Sequence, residues 1–413
     1  MRYGLLGEHL KHSFSKEIHE QINDYEYQLI EVAKNDLDEF MNKREFKAIN
    51  VTIPYKEMVI PYLYYIDDNA KRIGAVNTIV NKDNKLYGYN TDYYGLRDLI
   101  LKNEINVKDK KVLILGDGGA SKCAQILVKD LSAKEVLVAS LFPSDKTISY
   151  QDALDCDPNI IINATPCGMF PNNDDLIIKI DSFKNLEAIV DVIYNPLKTQ
   201  LLLEGKKKGL KVCGGLYMLV SQAVYACGIF TDKEVDSTLI DPVYQNIINE
   251  KQNIVLIGMP SSGKSTIGKM LARRIKKDFI DTDKLIEAEI KMPIRDYIKE
   301  HGEESFRNVE TKVIKEVAKL NNTVISTGGG VILREINMDA LMKNGKVVFL
   351  NRSLSNLKPT KSRPLSSNQS DLEKLYNKRL PIYNKYADVI VCNNSSLEFA
   401  VEKIIEEVNK WKF

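Results

Sequence analysis

Long apolar runs are missing from this chain, and so are the residues that build metal or disulfide frameworks. Across 413 residues no apolar stretch approaches the roughly 20 residues needed to cross a bilayer, which argues against membrane-spanning helices. Histidine is scarce, with only four. The six cysteines, at 123, 156, 167, 213, 227 and 392, form no C-x-x-C pair, so a zinc site is not expected and reduced, cytosolic thiols are. Neither sign of charge dominates: 58 basic against 56 acidic residues leave a formal +2, which offers no field for nucleic acid or an anionic membrane. The opening residues Met1-Arg2-Tyr3-Gly4-Leu5-Leu6-Gly7 read at once as a strand and turn, without the charged and apolar regions of a leader. The expectation is a cytoplasmic protein of two or three domains whose partners are small molecules, with no nucleic acid and no membrane.

Against this background two glycine-rich loops stand out. Gly116-Asp117-Gly118-Gly119-Ala120-Ser121 follows an apolar run at 111–115, and Gly258-Met259-Pro260-Ser261-Ser262-Gly263-Lys264-Ser265 follows another at 253–257. The first reads as a dinucleotide-binding turn and the second as a nucleoside-triphosphate P-loop. In the second, backbone N–H groups turn inward on the phosphates, Lys264 reaches the β and γ phosphates, and Ser265 ligates magnesium, with Thr266 next in the cofactor-binding run. One chain therefore carries two expected active sites.

Residues 1–95 alternate short extended segments (3–6, 48–53, 78–81) with helical ones (15–23, 35–43), an α/β pattern. Apolar runs at 111–115, 135–139, 160–163 and 188–192 read as buried parallel strands of a Rossmann-like nucleotide-binding part. Helices are expected at 216–230 and about 239–249, followed by a polar linker at 249–253. The division expected is thus 1–250, with a substrate part at about 1–95 and 223–250 around a nucleotide part at about 96–222, then a P-loop α/β domain with a parallel sheet at 251–413. In that domain strands are expected at 253–257, 278–281, 323–326, 346–350 and 388–391. A helix at about 303–320 shows the stripe Phe306, Val309, Val313, Val317 and Leu320, with Arg307 and Glu310 off its centre. Ser395 and Glu398 form a capping box for the last helix, and the polar stretch 353–370 reads as a lid.

The P-loop is followed by Asp281-Thr282-Asp283, by Gly302-Glu303-Glu304-Ser305-Phe306-Arg307 with Glu310, by Gly328-Gly329-Gly330, by Arg363-Pro364-Leu365, and by Arg379 four residues before Tyr383. In that order these motifs resemble shikimate kinase across 253–413. The resemblance implies ATP and magnesium, with Asp283 holding the acceptor hydroxyl and helping to remove its proton. It also implies that Arg307 and Arg379 clamp the substrate carboxylate, as a planar guanidinium does well. Gly328, Gly329 and Gly330 would let backbone approach the ring, Asp281 would support the magnesium shell beside Ser265, and Arg363 would close over the phosphates. The lid departs from the family pattern, offering Lys358 and Lys361 where a further arginine is usual.

The N-terminal half carries His12-Ser13-Phe14-Ser15, Asn50 and Thr52 before Lys56, Gly74-Ala75-Val76-Asn77-Thr78, Asn90-Thr91-Asp92 with Gly95, Asn163-Ala164-Thr165-Pro166 with Gly168-Met169, and Gly215-Leu216-Tyr217 running to Gln222. Together they resemble shikimate dehydrogenase over residues 1–250. Reducing a ketone by hydride needs a proton donor beside the forming alkoxide, and Lys56 with Asp92 suits that role. The resemblance assigns substrate hydrogen bonds to Ser13, Ser15, Asn50, Thr52, Asn77 and Gln222, and cofactor contacts to Gly116, Gly118, Gly119, Ala120, Ser121, Asn163, Thr165 and Met169. A Rossmann site selecting NAD carries an acid about 20 residues after the glycines, and one selecting NADP offers arginine. Residues 136–142 here contain neither. NADP follows from the resemblance, NAD stays open, and the Asp117 carboxylate is expected to point away from the pyrophosphate. His9 and Lys16 stand where prolines are usual in the family.

The reading is a bifunctional enzyme: residues 1–250 reduce 3-dehydroshikimate to shikimate, and 251–413 phosphorylate shikimate with ATP. A competing reading keeps the kinase and makes the first half a ligand-binding module or a dehydrogenase with a shifted substrate such as quinate.

Overall fold

The computed structural model describes residues 3–10, 13–357 and 369–409. The chain divides into two compact units, Met1–Ile248 and Asn249–Phe413. The first opens with β1 (Tyr3–Gly7), α1 (Ser15–Ile22), β2 (Tyr27–Glu31), α2 (Leu37–Lys43), β3 (Ala48–Val51), β4 (Tyr65–Ile66), α3 (Asp68–Ile73), β5 (Thr78–Lys82) and β6 (Lys85–Tyr89). These strands form one sheet in the order β2-β1-β3-β5-β6-β4. It is mixed: β1 runs parallel to β2 and β3, whereas β5 is antiparallel to both β3 and β6.

A second sheet follows, built from α4 (Asp92–Lys102), β7 (Lys111–Leu115), α5 (Gly119–Asp130), β8 (Glu135–Ala139), α6 (Tyr150–Ala153), β9 (Ile160–Asn163), β10 (Ala188–Asp191), α7 (Gln200–Lys207), β11 (Lys211–Cys213), α8 (Leu216–Thr231) and α9 (Ile240–Lys251). All its pairings are parallel, in the order β11-β10-β9-β7-β8. Alternate side chains leave opposite faces of a strand, and both faces are covered. Val112 and Ile114 of β7 pack into one apolar core, and Leu113 and Leu115 into another. The sheet order reverses around β7, so the turn after it opens at the crevice where ligands bind in such sheets.

The second unit comprises β12 (Asn253–Ile257), α10 (Lys264–Ile275), β13 (Asp278–Asp281), α11 (Thr282–Ile290), α12 (Ile294–His301), α13 (Glu303–Val317), β14 (Thr323–Ser326), α14 (Glu335–Asn344), β15 (Gly345–Asn351), α15 (Gln369–Tyr386), β16 (Val389–Cys392) and α16 (Leu397–Asn409). Its sheet is parallel, ordered β13-β14-β12-β15-β16. Val255 and Ile257 face one core while Ile254 and Leu256 face the other. The central strand β12 delivers the P-loop.

Several expectations are corrected. The two units divide at 248/249, at the start of the polar run at 249–253, but that run is more regular than expected: α9 continues through Lys251 and β12 starts at Asn253. Ile240, Val243, Ile247 and Ile248 bury one face of α9, and the Asn, Glu and Lys after them are compatible with its last turn. The division expected at 222/223 falls inside the unbroken helix α8. The last helix is capped by Ser396, whose Oγ accepts from the Phe399 amide at 3.2 Å, not by Ser395. In α13 the buried face is Phe306, Arg307, Glu310, Ile314 and Val317. Leu320 is exposed and lies past the end of the helix, which stops at Val317. Of the expected lid, residues 358–368 lie outside the described residues.

Candidate active sites

In the N-terminal unit, Lys56 sits in the turn after β3 and Asp92 opens α4. The Lys56 ammonium donates to Asp92 Oδ2 at 2.6 Å, and the two side chains are only 18% and 10% exposed. Asp92 Oδ1 accepts from the Asn77 amide at 2.9 Å, so both oxygens of the carboxylate are fixed. Asn77 Oδ1 in turn accepts the Thr91 backbone N–H at 2.7 Å. Gln222 joins from α8, its Oε1 accepting from Thr91 Oγ1 at 3.2 Å while its Nε2 donates to the Leu219 carbonyl at 2.9 Å. Gly95 makes this meeting possible, since a Cβ there would come within 2.6 Å of the Met218 carbonyl oxygen. Any side chain at 95 would push α8, and Gln222 with it, off α4.

Ser13 Oγ donates to Ser15 Oγ at 3.1 Å and accepts from the Ser15 amide at 3.2 Å, a local turn that opens α1. Thr52 hands its backbone N–H to the Leu6 carbonyl at 2.9 Å. Asn50 is buried, at 4% exposure; its Oδ1 accepts from Tyr27 Oη at 2.7 Å, and its Nδ2 donates to Thr78 Oγ1 at 3.1 Å. These bonds brace β3 against its neighbours. Behind it His19 stacks on Tyr27 with ring centroids 4.0 Å apart. Complete burial lowers the His19 pKa to about 3, so the ring is neutral near pH 7. His12 lies outside the described residues.

The dinucleotide turn is anchored where three strands end together. The Gly116 amide donates to the Ala139 carbonyl at the end of β8 at 2.8 Å. Its φ of +97° is one that side chains other than glycine rarely adopt. An added Cβ at Gly118 would meet nothing within 4 Å, so this face of the turn stays open in front of the first backbone N–H groups of α5. That arrangement fits a pyrophosphate. Ser121 is fully buried. After β9, Asn163 Oδ1 accepts from the Thr165 hydroxyl at 2.7 Å and amide at 3.1 Å, and its Nδ2 donates to Asp191 Oδ1 at 3.1 Å. The Thr199 hydroxyl donates to Asp191 Oδ2 at 2.6 Å; burial raises the Asp191 pKa to about 6. Met169 is exposed. A Cβ on Gly119 would lie 3.6 Å from Lys56 Cδ, so the turn and the Lys56–Asp92 pair belong to one site. Asp117 is held by Ser140, its Oδ2 accepting from Ser140 Oγ at 2.7 Å.

In the C-terminal unit the P-loop rims a cavity of about 210 Å³ lined by Ser261, Gly263, Lys264, Ser265, Thr266, Asp283, Thr327 and Gly329. Gly258 and Gly263 have φ of +151° and +91°. The Lys264 ammonium lies 3.0 Å from the carbonyl oxygens of both Gly258 and Met259, and the Ser262 hydroxyl is buried without a hydrogen-bond partner. Ser265 Oγ donates to Asp281 Oδ2 at 2.5 Å and lies 3.3 Å from Ser326 Oγ. A hydroxyl and a carboxylate so placed at the end of a P-loop suit magnesium, a hard cation bound through few protein oxygens. Asp281 also caps α11, its Oδ1 accepting from the amides of Asp283 and Lys284. The Asp283 carboxylate is therefore not the cap.

Asp283 lines the cavity across from the triple glycine, with Oδ1 only 2.5 Å from where a Gly328 Cβ would stand. A Cβ on Gly330 would collide with the Arg307 guanidinium. Arg307 donates to Glu310 at 2.8 Å and to Glu303 at 3.0 Å, and burial raises the Glu310 pKa against the opposing pull of Arg307. Arg379 donates to the Gly329 carbonyl at 3.1 Å, and burial lowers its pKa, with Arg307 among the charges that act on it. The Tyr383 hydroxyl lies 2.6 Å from the Gly329 carbonyl oxygen and 2.9 Å from that of Gly258, tying the triple glycine to the P-loop. Arg363, like Lys358 and Lys361, lies outside the described residues.

Comparison with known proteins accounts for both units. The family model described as shikimate dehydrogenase substrate binding domain matches residues 5–79, and the one described as shikimate kinase matches residues 260–409. The NADP(+) shikimate dehydrogenase of Clostridium beijerinckii is 40% identical over 265 residues, covering 60% of this chain and 98% of that relative. The chain belongs to the shikimate dehydrogenase family and carries a shikimate kinase domain. Among solved structures, shikimate dehydrogenase 1 from Peptoclostridium difficile superposes with a TM-score of 0.57 at 38% identity, over 60% of this chain and 97% of its own. A chorismate mutase/shikimate 5-dehydrogenase fusion from Clostridium acetobutylicum gives 0.56 at 36% identity, over 60% and 96%; a dehydrogenase fused to another enzyme thus has a precedent.

Sequence reasoning passed over several residues in the two sites. Thr91 stood in a quoted motif, yet its part in joining Asn77 to Gln222 depends on an α8 far along the chain. Glu303 and Glu310 are the counter-ions of Arg307, four and three residues away on one helix face; that spacing was the available signal. Tyr383, four residues after Arg379, was legible in the same way.

Proposed function

We infer that the N-terminal unit reduces 3-dehydroshikimate to shikimate with NADP(H), and that the C-terminal unit phosphorylates shikimate with ATP and magnesium to shikimate 3-phosphate, in the cytoplasm. The observation that carries the reading is the Lys56–Asp92 pair at 2.6 Å, beside a dinucleotide turn, in a chain that also holds a complete P-loop.

The nicotinamide, when bound, supplies the hydride. Lys56 donates the proton to the oxygen that was the ketone, and Asp92 keeps the ammonium aimed while accepting a substrate hydroxyl. Asn77, Gln222, Ser13, Ser15, Asn50 and Thr52 provide neutral hydrogen bonds suited to a polyhydroxy acid. In the kinase, Asp283 takes the acceptor hydroxyl and its proton, Arg307 and Arg379 receive the carboxylate, and Lys264 neutralises the transferring phosphate. Ser265 with Asp281 would hold the magnesium, which supplies charge neutralisation. Arg363 is the further cation proposed to act on the phosphates.

The test is an initial-rate assay of 3-dehydroshikimate reduction, followed by addition of ATP and measurement of phosphate ester, with quinate as a parallel substrate. Sequential conversion to the ester supports the reading. Phosphorylation without any ketone reduction would leave the first unit a ligand-binding module.

A further inference from the structure

The adenosine end of the dinucleotide site carries a carboxylate and lacks a paired cation. In nucleotide folds of this type the residue closing the second strand faces the adenosine ribose: an acid there accepts the 2′-hydroxyl of NAD, and an arginine accommodates the 2′-phosphate of NADP. The second strand here is β8, and Ser140 follows its end. Ser140 is buried and spends its hydroxyl on Asp117 Oδ2 at 2.7 Å. An acid thus meets the residue that follows the second strand, delivered from the phosphate turn and not from the strand.

The same hydroxyl accepts the Phe142 amide at 3.2 Å. That turn leaves Leu141 and Phe142 77% and 84% exposed where a phosphate-binding loop would need donors. The basic residue in this loop, Lys146, sits within the exposed hairpin closed by the bridge of Ser144 with Thr147. Among the described residues, no lysine or arginine forms an ion pair with Asp117.

We propose that Asp117, positioned by Ser140, is a cofactor-specificity residue that lets the dehydrogenase accept NAD(H) as readily as NADP(H). This rests on the dehydrogenase reading. A 2′-phosphate brings nearly two negative charges beside an unneutralised carboxylate, whereas a 2′-hydroxyl donates to it.

The test measures binding of NADH and of NADPH to the full chain by the fluorescence of the reduced nicotinamide, with no ketone present, alongside initial rates on 3-dehydroshikimate with each. In the unaltered chain the two dissociation constants should agree to within about tenfold. Asp117→Asn keeps the side-chain shape while removing the charge, and Asp117→Ala removes both. Each should tighten NADPH relative to NADH by about tenfold, the cost of one like-charge contact near a protein surface. NADPH binding more than tenfold tighter than NADH in the unaltered chain, or a ratio unmoved by both substitutions, overturns the proposal. Binding of neither dinucleotide would remove the dehydrogenase reading itself.

Discussion

In the dehydrogenase unit the groups proposed to react already face one another: Lys56 meets Asp92 at 2.6 Å, and Asn77 holds the other Asp92 oxygen and meets Gln222. In the kinase unit the cations are engaged elsewhere. Lys264 lies against the carbonyls of its own loop, and Arg307 is held by Glu303 and Glu310. The first site needs a ligand only to arrive, since its polar groups are satisfied in the arrangement they use. The second must exchange intramolecular hydrogen bonds for bonds to ligand oxygens, so part of the gross interaction with phosphate and carboxylate offsets what is lost. Hydrogen bonds to charged groups are worth about 1.5–3 kcal/mol each, so this exchange decides affinity.

The largest expected effects separate the two chemistries. Lys56→Ala should lower ketone reduction by about 10²–10⁴-fold, the usual range for a lost acid–base group, with phosphorylation unchanged. Lys264→Ala should lower phosphorylation by about 10³-fold, comparable to loss of a charge-stabilising group in phosphoryl transfer, with reduction unchanged.

Next comes the buried ion pair of the kinase. Glu310→Ala leaves Arg307 with only the half-exposed Glu303, and removing one partner of a buried pair costs about 3–5 kcal/mol. The expected result is a lower unfolding midpoint for the kinase unit, with dehydrogenase activity surviving at temperatures where phosphorylation is gone. Acid should act in the opposite sense. His19 titrates near 3 when folded against 6.5 as the ordinary value, so below pH 6.5 the unfolded chain binds the extra proton. Stability is complete above that pH and falls as pH drops toward 3, by about 2 kcal/mol between pH 6.5 and 5. The kinase unit's one histidine, His301, is exposed. Denaturant titrations at the two pH values should show the dehydrogenase weakening more, and His19→Phe should remove that part of the loss. Smallest is Tyr383→Phe, which removes the hydroxyl between Gly258 and Gly329. It should raise the kinase KM for ATP or shikimate by about five- to tenfold, in line with a hydrogen bond worth about 1 kcal/mol, and leave the dehydrogenase KM as it was.

The two halves were also unequally legible. Strands such as β7, β9 and β12 announced themselves because burial on both faces forces continuous Val, Ile and Leu runs. The P-loop was legible because its glycines, Lys264 and Ser265 are contiguous. The short β4 and the polar-faced β2 and β6 carry no such run, and the polar sequence at 249–253 concealed the end of a helix. Pairings between distant residues escaped entirely. Nothing local says that Ser140 hydrogen-bonds Asp117, or that Tyr27 donates to the Asn50 side-chain oxygen. In α13 the spacing showed Arg307 and Glu310 off the centre of the apolar stripe, but not that their pairing buries both.

The most direct measurement of the central claim, two independent active sites of different readiness in one chain, is a crossed assay. Reduction of 3-dehydroshikimate and ATP-dependent phosphorylation of supplied shikimate are followed in the unaltered chain, in Lys56→Ala and in Lys264→Ala. The account predicts both activities in the first and loss of only the matching activity in each variant. Loss of both activities in either variant, or survival of reduction in Lys56→Ala at its original rate, would contradict it.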